Sequence, residues 1–530
     1  MIKAATLAEL MGQRASADPD KPYFTLFDSP VLYAQLWRES ERYAAGLRRH
    51  GIDRGDKVCL IFPTCAEFFY TFFGALRLGA IPVPLYPTLG VEGTAGIFRD
   101  SEAKAVVTIG WFRKGVDESA AAAPNVCHVL EPSDLETDAP VPAFPVSRED
   151  DVAFIQYTSG STGQPRGVVL THANVCRTVE FMAEAAQLGR EDVVVSWLPL
   201  YHDMGLIGCA FTPPTTGAAL HLLPPDLKSP RTWLETITRV RATFTVSPDF
   251  GYRNCVRNIP DTAGLELSSL KQALSGAEPV RLSTIEAFER KFQLQNVITP
   301  CYGLAEATLA VAIWPRFTPL RLDSSGKFLS VGHACRGVSL RIMQDDRVLG
   351  PGEEGEIVVR SPGVMQGYYN NPEATARVLS PDGWLRTGDL GFLDTEEYLY
   401  ITGRVKDLII LGGKNVIPAD VEEVVDHVPG VRYSAAVGID SQRTGSQRLH
   451  IVAEVRGDAG TREEHTTLVR EIVQRVHRAT GHRPAKVLLV RPSTIPKTSS
   501  GKIQRARLGE MIVGDEVADA VVYASGAQAQ

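Results

Sequence analysis

The sequence predicts an α/β protein: a large N-terminal domain of parallel α/β sheets with a small β subdomain, and a small mobile α+β C-terminal domain. Three successive regions with different sequence patterns indicate this. Before residue 330, short apolar segments alternate with helix-length amphipathic segments, as in βα units of a parallel sheet. Turn-rich alternating segments follow. Strands around one long helix then fill the remainder, so we expect domains at 1–403 and 404–530.

The first elements follow from periodicity. Residues 6–50 are predicted to be helical, because apolar residues recur at intervals of three and four. The string KVCLIF predicts a buried strand, followed by a helix over 64–78 and a strand at AIPVPLYP. The same alternation predicts strands at AVVTIG, DVAFIQY, VVVSWLP, ALHLLPP, ATFTVSP and LKQALSG.

Beyond residue 330 the pattern changes twice. The string SLRIMQDDRVLGPGEEGEIVVRS alternates and is punctuated by turns, which favours antiparallel strands. After GRVKDLIILGG, we predict a helix over 418–428 and another over 463–480, with strands at SAAVGID, LHIVAEV and KVLLVRP. We place a hinge at Lys406 and expect the last residues to fray.

Composition excludes several classes of protein. The chain has 530 residues, with 55 Lys and Arg against 62 Asp and Glu, a net charge of −7. A nucleic-acid binder would carry an excess of basic groups, and 44% hydrophobic residues argue against disorder. Eight scattered cysteines form no C-x-x-C pair, which disfavours a zinc knuckle. We expect no signal peptide, no membrane span and a cytoplasmic location.

The strongest local signal is the string YTSGSTGQPRG at residues 157–167, directly after a predicted strand. Glycines let the backbone approach an anion, and successive N–H groups and hydroxyls can surround phosphate oxygens. A flexible linker would have a similar composition, but the strands predicted on both sides disfavour it. The chain contains neither a Walker A string nor G-x-S-x-G, so this loop would bind phosphate in another way.

This string, with YGLAE, RTGD, GRVKD and PKTSSGK further on, resembles the adenylate-forming superfamily of acyl-CoA synthetases, firefly luciferase and peptide-synthetase adenylation domains. The motifs fall in the family's order over residues 30–510. The resemblance implies a ligase that uses ATP and Mg²⁺ to convert a carboxylic acid to acyl-AMP, with release of pyrophosphate, and then passes the acyl group to a thiol.

The resemblance also implies roles for individual residues. The ATP phosphates would be wrapped by Thr158, Ser159, Gly160, Ser161, Thr162 and Gly163. Arg166 stands where the family usually has lysine, and its planar fork differs from a point charge. Adenine would lie against Ser275, Gly276, Ala277 and Glu278, and against Tyr302 and Gly303. Glu306 would help to hold Mg²⁺, in a motif where Ala305 replaces the usual threonine.

Four further residues complete the implied site. Asp389 would accept both ribose hydroxyls, and Arg404 would contact ribose or phosphate. Lys406 occupies the family's hinge position. Lys502 would reach the carboxylate and the α-phosphate, where a cation between two anions stabilises the transition state.

The string SWLPLYHDMGL at residues 196–206 resembles the fatty acyl-AMP ligases, which deliver acyl groups to carrier-protein thiols. His202 would flank the acyl pocket and the reacting carboxylate, and the pocket walls would come from 197–207, 244–252 and the residues before Gly276. The resemblance thus implies a fatty or other apolar acid as substrate, an acyl carrier protein as partner and a biosynthetic role. No nucleic acid or integral membrane association is expected.

Two features instead resemble acyl-CoA synthetases. Only residues 310–330 separate YGLAEATL from the next motif, which leaves little room for the insertion that acyl-AMP ligases carry. Gly412 and Gly413 would let the backbone close around a pantetheine arm, so free CoA is the alternative acceptor. Two other possibilities stay open: a non-catalytic nucleotide-binding regulatory protein, and an amino-acid activator that uses Asp249 to meet an amine.

Overall fold

The described residues of the chain form five β-sheets covered by helices. This computed structural model describes residues 1–87, 89–137, 144–158, 165–225, 229–411, 414–441, 446–455, 460–497 and 502–525. A 14-stranded sheet runs through the N-terminal part, and two smaller sheets lie beside it.

Residues 1–135 supply a four-stranded parallel sheet and the edge of the large sheet. The elements of this region are α1 Leu7–Ala17, β1 Pro22–Leu26, β2 Ser29–Leu32, α2 Tyr33–Arg49, β3 Lys57–Ile61, α3 Ala66–Leu78, β4 Ile81–Pro84, α4 Val91–Asp100, β5 Ala103–Thr108, α5 Gly110–Ala121, β6 His128–Leu130 and α6 Pro132–Leu135. The helical prediction for 6–50 was wrong in its centre, where β1 and β2 form a hairpin. Phe27 and Asp28 both have positive φ, 47° and 66°, as a tight hairpin turn requires.

Residues 152–313 contain the strands that form most of the parallel part of the large sheet. They comprise β7 Val152–Thr158, β8 Arg166–Thr171, α7 His172–Ala185, β9 Val193–Ser196, α8 Pro213–Thr216, β10 Ala219–Leu222, α9 Pro230–Val240, β11 Phe244–Ser247, α10 Asp249–Asn258, β12 Gln272–Ser275, α11 Leu282–Phe292, β13 Ile298–Gly303 and β14 Ala310–Ile313. Strands β1-β10-β9-β11-β12-β13 run parallel throughout, and the alternating pattern predicted β9, β10, β11 and β12 among them.

The antiparallel region predicted after residue 330 is confirmed. It contains β15 Ser330–Ala334, β16 Ser339–Gln344, β17 Arg347–Val348, β18 Gly355–Arg360, β19 Gly367–Tyr368, α12 Pro372–Val378, β20 Leu385–Leu393, β21 Leu399–Arg404, β22 Ile409–Leu411 and β23 Lys414–Val416. One expectation fails nearby. The strand DVAFIQY is β7, and it pairs antiparallel with β8 in a three-stranded sheet with β19, outside the parallel array.

The C-terminal residues build a separate α+β layer. Its elements are α13 Pro418–Asp426, β24 Val431–Ser441, β25 Ser446–Val455, α14 Arg462–Thr480, β26 Lys486–Val490, α15 Arg505–Val513 and β27 Val521–Ser525. Apolar clusters cover both faces of the sheet β24-β25-β26-β27, and their buried members all lie between Ile409 and Val517. The largest N-terminal cluster has its buried members between Ala4 and Leu399. Among the described residues, no helix is both long and apolar enough to cross a membrane.

Burial of His172 predicts a pH-dependent stability. Its ring is 2% exposed, its Nδ1 accepts a hydrogen bond from the Leu7 N–H at 3.3 Å, and burial lowers its pKa to about 4. The unfolded chain therefore binds more protons between pH 7 and 4, so stability falls as the pH falls, by about 2 kcal/mol at pH 5. Thermal unfolding from pH 7 to 4 should show this loss reduced in His172→Gln. The exposed His477→Gln should leave the slope unchanged, and equal slopes in all three proteins would contradict the explanation.

Candidate active site

The predicted site residues collect at one edge of the parallel sheet. Ser247 and Ser275 end β11 and β12 directly opposite each other, and Tyr302 and Gly303 end the neighbouring β13. His202 follows the end of β9, which pairs with β11 on its other side. Carboxyl ends of adjacent parallel strands form the usual ligand crevice of open α/β sheets.

Lys502 joins this edge from the C-terminal layer. Burial lowers the pKa of its ammonium, and the nearby positive charge of Arg404 lowers that pKa further. The negative charges of Asp203, Asp389 and Glu306 act in the opposite direction on the same ammonium. Four charged side chains that lie about 100 to 300 positions before Lys502 in the sequence thus lie close enough to change its pKa.

Asp389 lies between two donors. The Tyr302 hydroxyl donates a hydrogen bond to Asp389 Oδ2 at 2.7 Å, and Arg404 Nε donates to Oδ1 at 2.6 Å. The carboxylate is 3% exposed, and its charge raises the pKa of the Arg404 guanidinium. Each carboxylate oxygen can accept more than one hydrogen bond, so capacity for a ligand diol remains on both oxygens.

Glu306 is held by a neighbouring tyrosine. The Tyr368 hydroxyl donates to Glu306 Oε1 at 2.8 Å, and the guanidinium of Arg166 lies over the Tyr368 ring, 5.2 Å from its centre. Arg166 stands opposite Thr158 in the β7–β8 pair, at the base of the predicted phosphate loop. Arg166, which stands where the family usually has lysine, therefore contacts Tyr368, and Tyr368 in turn holds the predicted metal ligand Glu306.

The donor set around Glu306 fits a magnesium ion that arrives with ATP. The structure shows no cluster of three or more acidic, histidine or cysteine side chains that could hold a metal, as far as its described residues extend. Mg²⁺ commonly takes one or two protein carboxylates and fills its other positions with substrate phosphates and water. Glu306 uses one oxygen for Tyr368, which leaves the other as a candidate ligand.

This arrangement predicts the effect of Tyr368→Phe. Loss of a hydrogen bond to a charged group costs about 1.5–3 kcal/mol, so we expect acyl-AMP formation to slow by roughly 10- to 100-fold and to require more Mg²⁺. The test is a Mg²⁺ titration of pyrophosphate release. Tyr369→Phe is a matched control, because that hydroxyl binds the exposed Glu102 instead. Identical titrations for the two variants would contradict a supporting role for Tyr368.

The segment predicted to face adenine is tightly constrained. A Cβ on Gly276 would lie 2.6 Å from Cys301 Sγ, and one on Gly303 would lie 1.6 Å from the Leu309 carbonyl oxygen, so packing requires both glycines. Ala277 has φ = +66°, a conformation that is uncommon for alanine and often found at functional sites. The Ser275 hydroxyl is buried without a hydrogen-bond partner among the described residues.

His202 pairs with the residue after it. Its Nδ1 lies 2.6 Å from Asp203 Oδ1, and the same oxygen accepts a hydrogen bond from the Met204 N–H at 2.7 Å. Burial raises the pKa of Asp203, but the charges of His202 and Lys502 lower it below its usual value overall. A π-helix, Met204–Phe211, starts directly after Asp203. Such wide turns occur often at functional sites.

Aromatic rings pack together in and beside the segments predicted to line the acyl pocket. Trp197 packs edge-to-face against Trp233 and Phe250, at 5.9 and 6.1 Å between ring centres. Tyr252 is 1% exposed and donates its hydroxyl to the Leu274 carbonyl, so it belongs to the core. Asp249 accepts hydrogen bonds from Thr284 Oγ1 and the Arg281 N–H, at 3.1 Å each. This carboxylate stabilises the start of α11, which weakens its candidacy as an amine receptor.

Some predictions lie outside the described residues: Ser159, Gly160, Ser161, Thr162 and Gly163 of the phosphate loop, and Gly412 and Gly413 of the proposed thiol route. Lys406 is exposed in a short 3₁₀ turn, Val405–Asp407. Sequence reasoning missed Asp203 and Tyr368. The D of YHDMGL and the GYY string were visible, but only the fold shows what these side chains contact.

Comparisons with known proteins agree with this geometry. The AMP-binding enzyme family matches residues 12–369. The long-chain-fatty-acid–AMP ligase FadD26 of Mycobacterium marinum is 33% identical over 96% of this chain and 97% of its own. A putative acyl-CoA synthetase of Caulobacter vibrioides is 33% identical over 90% of this chain and 89% of its own.

A solved chain leads to the same family. It comes from structural and functional studies of fatty acyl-adenylate ligases from E. coli and L. pneumophila. Its TM-score is 0.88 at 29% identity, and the match covers 97% of this chain and 98% of that one. On the match to residues 12–369 and the relatives at 33% identity, the chain belongs to the AMP-binding enzyme family.

Proposed function

We propose that the protein activates a fatty or other apolar carboxylic acid with ATP, forming acyl-AMP and pyrophosphate, and then transfers the acyl group to a phosphopantetheine thiol on an acyl carrier protein. The observation that carries this proposal is the convergence of Asp203, Glu306, Asp389 and Arg404 on the Lys502 ammonium. The names of FadD26 and of the solved fatty acyl-adenylate ligases support the same reaction class.

The first step joins two anions. A carboxylate oxygen attacks the α-phosphorus of ATP, the bond from that phosphorus to the bridging oxygen breaks, and pyrophosphate leaves. Lys502 would lie between the carboxylate and the α-phosphate, where its charge offsets their repulsion in the transition state. No side chain needs to act as a nucleophile, because the mixed anhydride is itself the activated species.

The nucleoside would be fixed by the residues around Asp389. Its carboxylate would accept the ribose hydroxyls while Tyr302 and Arg404 hold it in place, and the 275–278 segment would face adenine. The Thr158–Gly163 loop and Arg166 would meet the phosphates. Mg²⁺, held by Glu306 and the phosphates, would reduce the negative charge that the attacking carboxylate approaches.

In the second step the thiol sulfur attacks the acyl carbonyl, the bond to the AMP oxygen breaks, and the thiol proton is released. We propose that residues 404–530 form the mobile C-terminal domain and turn about Lys406, which would withdraw Lys502 and open a thiol route past Gly412 and Gly413. His202 would remain beside the reacting carboxyl group. Access to ATP and to carrier proteins favours a cytoplasmic location.

Two aromatic residues bear on the class of acid. Trp197 and Phe250 belong to segments predicted to line the acyl pocket and pack edge-to-face at 6.1 Å, so an apolar acyl group would suit this part of the site. Asp249 is already hydrogen-bonded to the start of α11, which disfavours recognition of an amino acid through its amine.

Acyl-CoA formation is the second candidate, and two observations favour it. Residues 314–329, which join β14 to β15, form a short connection in which Lys327 binds Asp420 of α13 at 2.7 Å. That contact occupies a position where the resemblance would place an insertion in acyl-AMP ligases. The relative from Caulobacter vibrioides is named a putative acyl-CoA synthetase.

Mass spectrometry of the full chain with Mg·ATP and a set of carboxylic acids distinguishes the acceptors. Reactions are run alone, with CoA, and with a phosphopantetheinylated carrier protein. We expect acyl-AMP to persist in the presence of CoA and to disappear onto the carrier. Rapid formation of acyl-CoA would overturn the carrier assignment, and a carrier that lacks the phosphopantetheine arm controls for hydrolysis.

A further inference from the structure

An ion cluster fastens the C-terminal layer to the N-terminal part of the chain. Asp426, the last residue of α13, has a side chain only 4% exposed. Its Oδ2 lies 3.1 Å from Arg281 Nη1 and 3.5 Å from Arg253 Nη1, and its Oδ1 accepts a hydrogen bond from the Ser434 hydroxyl at 2.8 Å. A carboxylate at the C-terminal end of a helix is disfavoured by the helix dipole, so the two arginines account for its placement.

Helix α10 adds further contacts to the same boundary. The Arg253 guanidinium lies over the Tyr433 ring at 5.8 Å, and Arg257 Nη1 donates to the Arg432 carbonyl at 3.0 Å. Arg253 and Arg281 also carry positive charge close to Asp249 and Glu278. The cluster therefore lies beside the segment predicted to face the adenylate.

A second ion pair connects Asp426 to the position of Lys502. One turn earlier on α13, buried Glu422 binds Arg505 at 2.7 Å, and Arg505 also binds Asp407 at 3.0 Å. Arg505 lies three residues after Lys502. Helix α13 therefore contacts Arg253 and Arg281 through Asp426, and it contacts the segment that carries Lys502 through Glu422.

Insertion of Lys502 needs contacts of this kind. Burial and the like charge of Arg404 both act against its ammonium, so the inserted position is electrostatically unfavourable before a substrate arrives. Buried charges that lose their partner are strongly unfavourable, whereas the same charges are stable once exposed to water. An ion pair at the boundary can therefore hold one arrangement of the two parts and release it when they separate.

We propose that Asp426, clamped by Arg253 and Arg281, is a positioning residue that holds Lys502 in the site during acyl-AMP formation and must let go before thiol transfer. This inference rests on the proposed function. Asp426 contacts no reacting atom. It would act by holding the arrangement of the two parts in which the first half-reaction takes place.

The two half-reactions measured separately test this. In Asp426→Asn, we expect kcat for acid-dependent pyrophosphate release to fall about 10- to 100-fold, with thioester formation from supplied acyl-AMP unchanged or faster. Asp426→Glu, which keeps the charge, should recover most of the loss. Adding Arg281→Gln to Asp426→Asn should cost little more than either change alone. Equal loss of both half-reactions, or no loss in the first, overturns the proposal.

A matched control exists at the same boundary. Lys327 and Asp420 also join the two parts, but their side chains are 48% and 32% exposed, so Lys327→Gln should change either half-reaction by no more than about twofold. Small-angle X-ray scattering gives a readout independent of turnover. The Asp426→Asn protein should be more extended than the unmodified protein. An unchanged profile would overturn the proposal even if no tested acid is activated, whereas a more extended variant without activation of any acid would count only against the proposed function.

Discussion

Replacing Lys502 with alanine is expected to reduce acyl-AMP formation by about 10²–10³-fold, the usual cost of removing a group that stabilises transition-state charge. Attack of a carboxylate on the α-phosphate brings two anions together, and Lys502 is the cation that the C-terminal layer brings to Asp203, Asp389 and Glu306. Because the second step needs no cation there, thioester formation from supplied acyl-AMP should be largely preserved.

Both half-reactions are needed to interpret this variant. Lys497→Ala is the matched control, since Lys497 comes from the same PKTSSGK string but lies over the Tyr433 ring, 3.3 Å from its centre. It should affect stability without separating the two steps. If Lys502→Ala weakens both steps equally, Lys502 does not act in the first step as described.

The second large effect is expected for Asp389→Asn. The change removes the charge that Arg404 Nε binds at 2.6 Å and replaces one acceptor oxygen with a donor amide. A ligand diol would lose hydrogen bonds to a charged acceptor, each contributing about 1.5–3 kcal/mol, so KM for ATP should rise by roughly 10- to 100-fold. Initial rates of pyrophosphate release against ATP concentration measure this.

Asp394→Asn is the control for that measurement. Asp389 lies within β20, and Asp394 comes directly after the same strand. Asp394 has different partners: it binds Arg321 at 3.1 Å and accepts a hydrogen bond from the Tyr400 hydroxyl at 3.2 Å. Its replacement should lower stability and leave KM for ATP unchanged. An unchanged KM in Asp389→Asn would refute ribose recognition by that carboxylate.

Local patterns predicted most of the fold, and long-range pairing explains the failures. Alternating strand and helix patterns predicted the parallel strands β9, β10, β11 and β12, because each apolar run is short and bounded by turns. The hairpin of β1 and β2 was missed because its strands are only five and four residues long, and β1 joins the large sheet through β10, about 195 residues away. The antiparallel pairing of β7 with β8 was equally invisible, because an isolated strand does not indicate the direction of its neighbour.

The site shows the same division. The motifs that resemble the family pointed to Tyr302, Glu306, Asp389 and Lys502, and the structure brings these residues together. Tyr368 and Asp426 could not be found in that way. Each acts through a contact with a residue 62 or 145 positions away, Glu306 and Arg281, and no local pattern records such a contact.

The side chains that converge on Lys502 are expected to make an acyl-adenylate. Mass spectrometry of the full chain with Mg·ATP and fatty, aromatic and amino acids, with Lys502→Ala in parallel, tests this directly. We expect acyl-AMP with a matching amount of pyrophosphate for apolar acids only, and little of either from the variant. Absence of acyl-AMP and pyrophosphate with every acid would refute this activity and favour a nucleotide-binding protein without it.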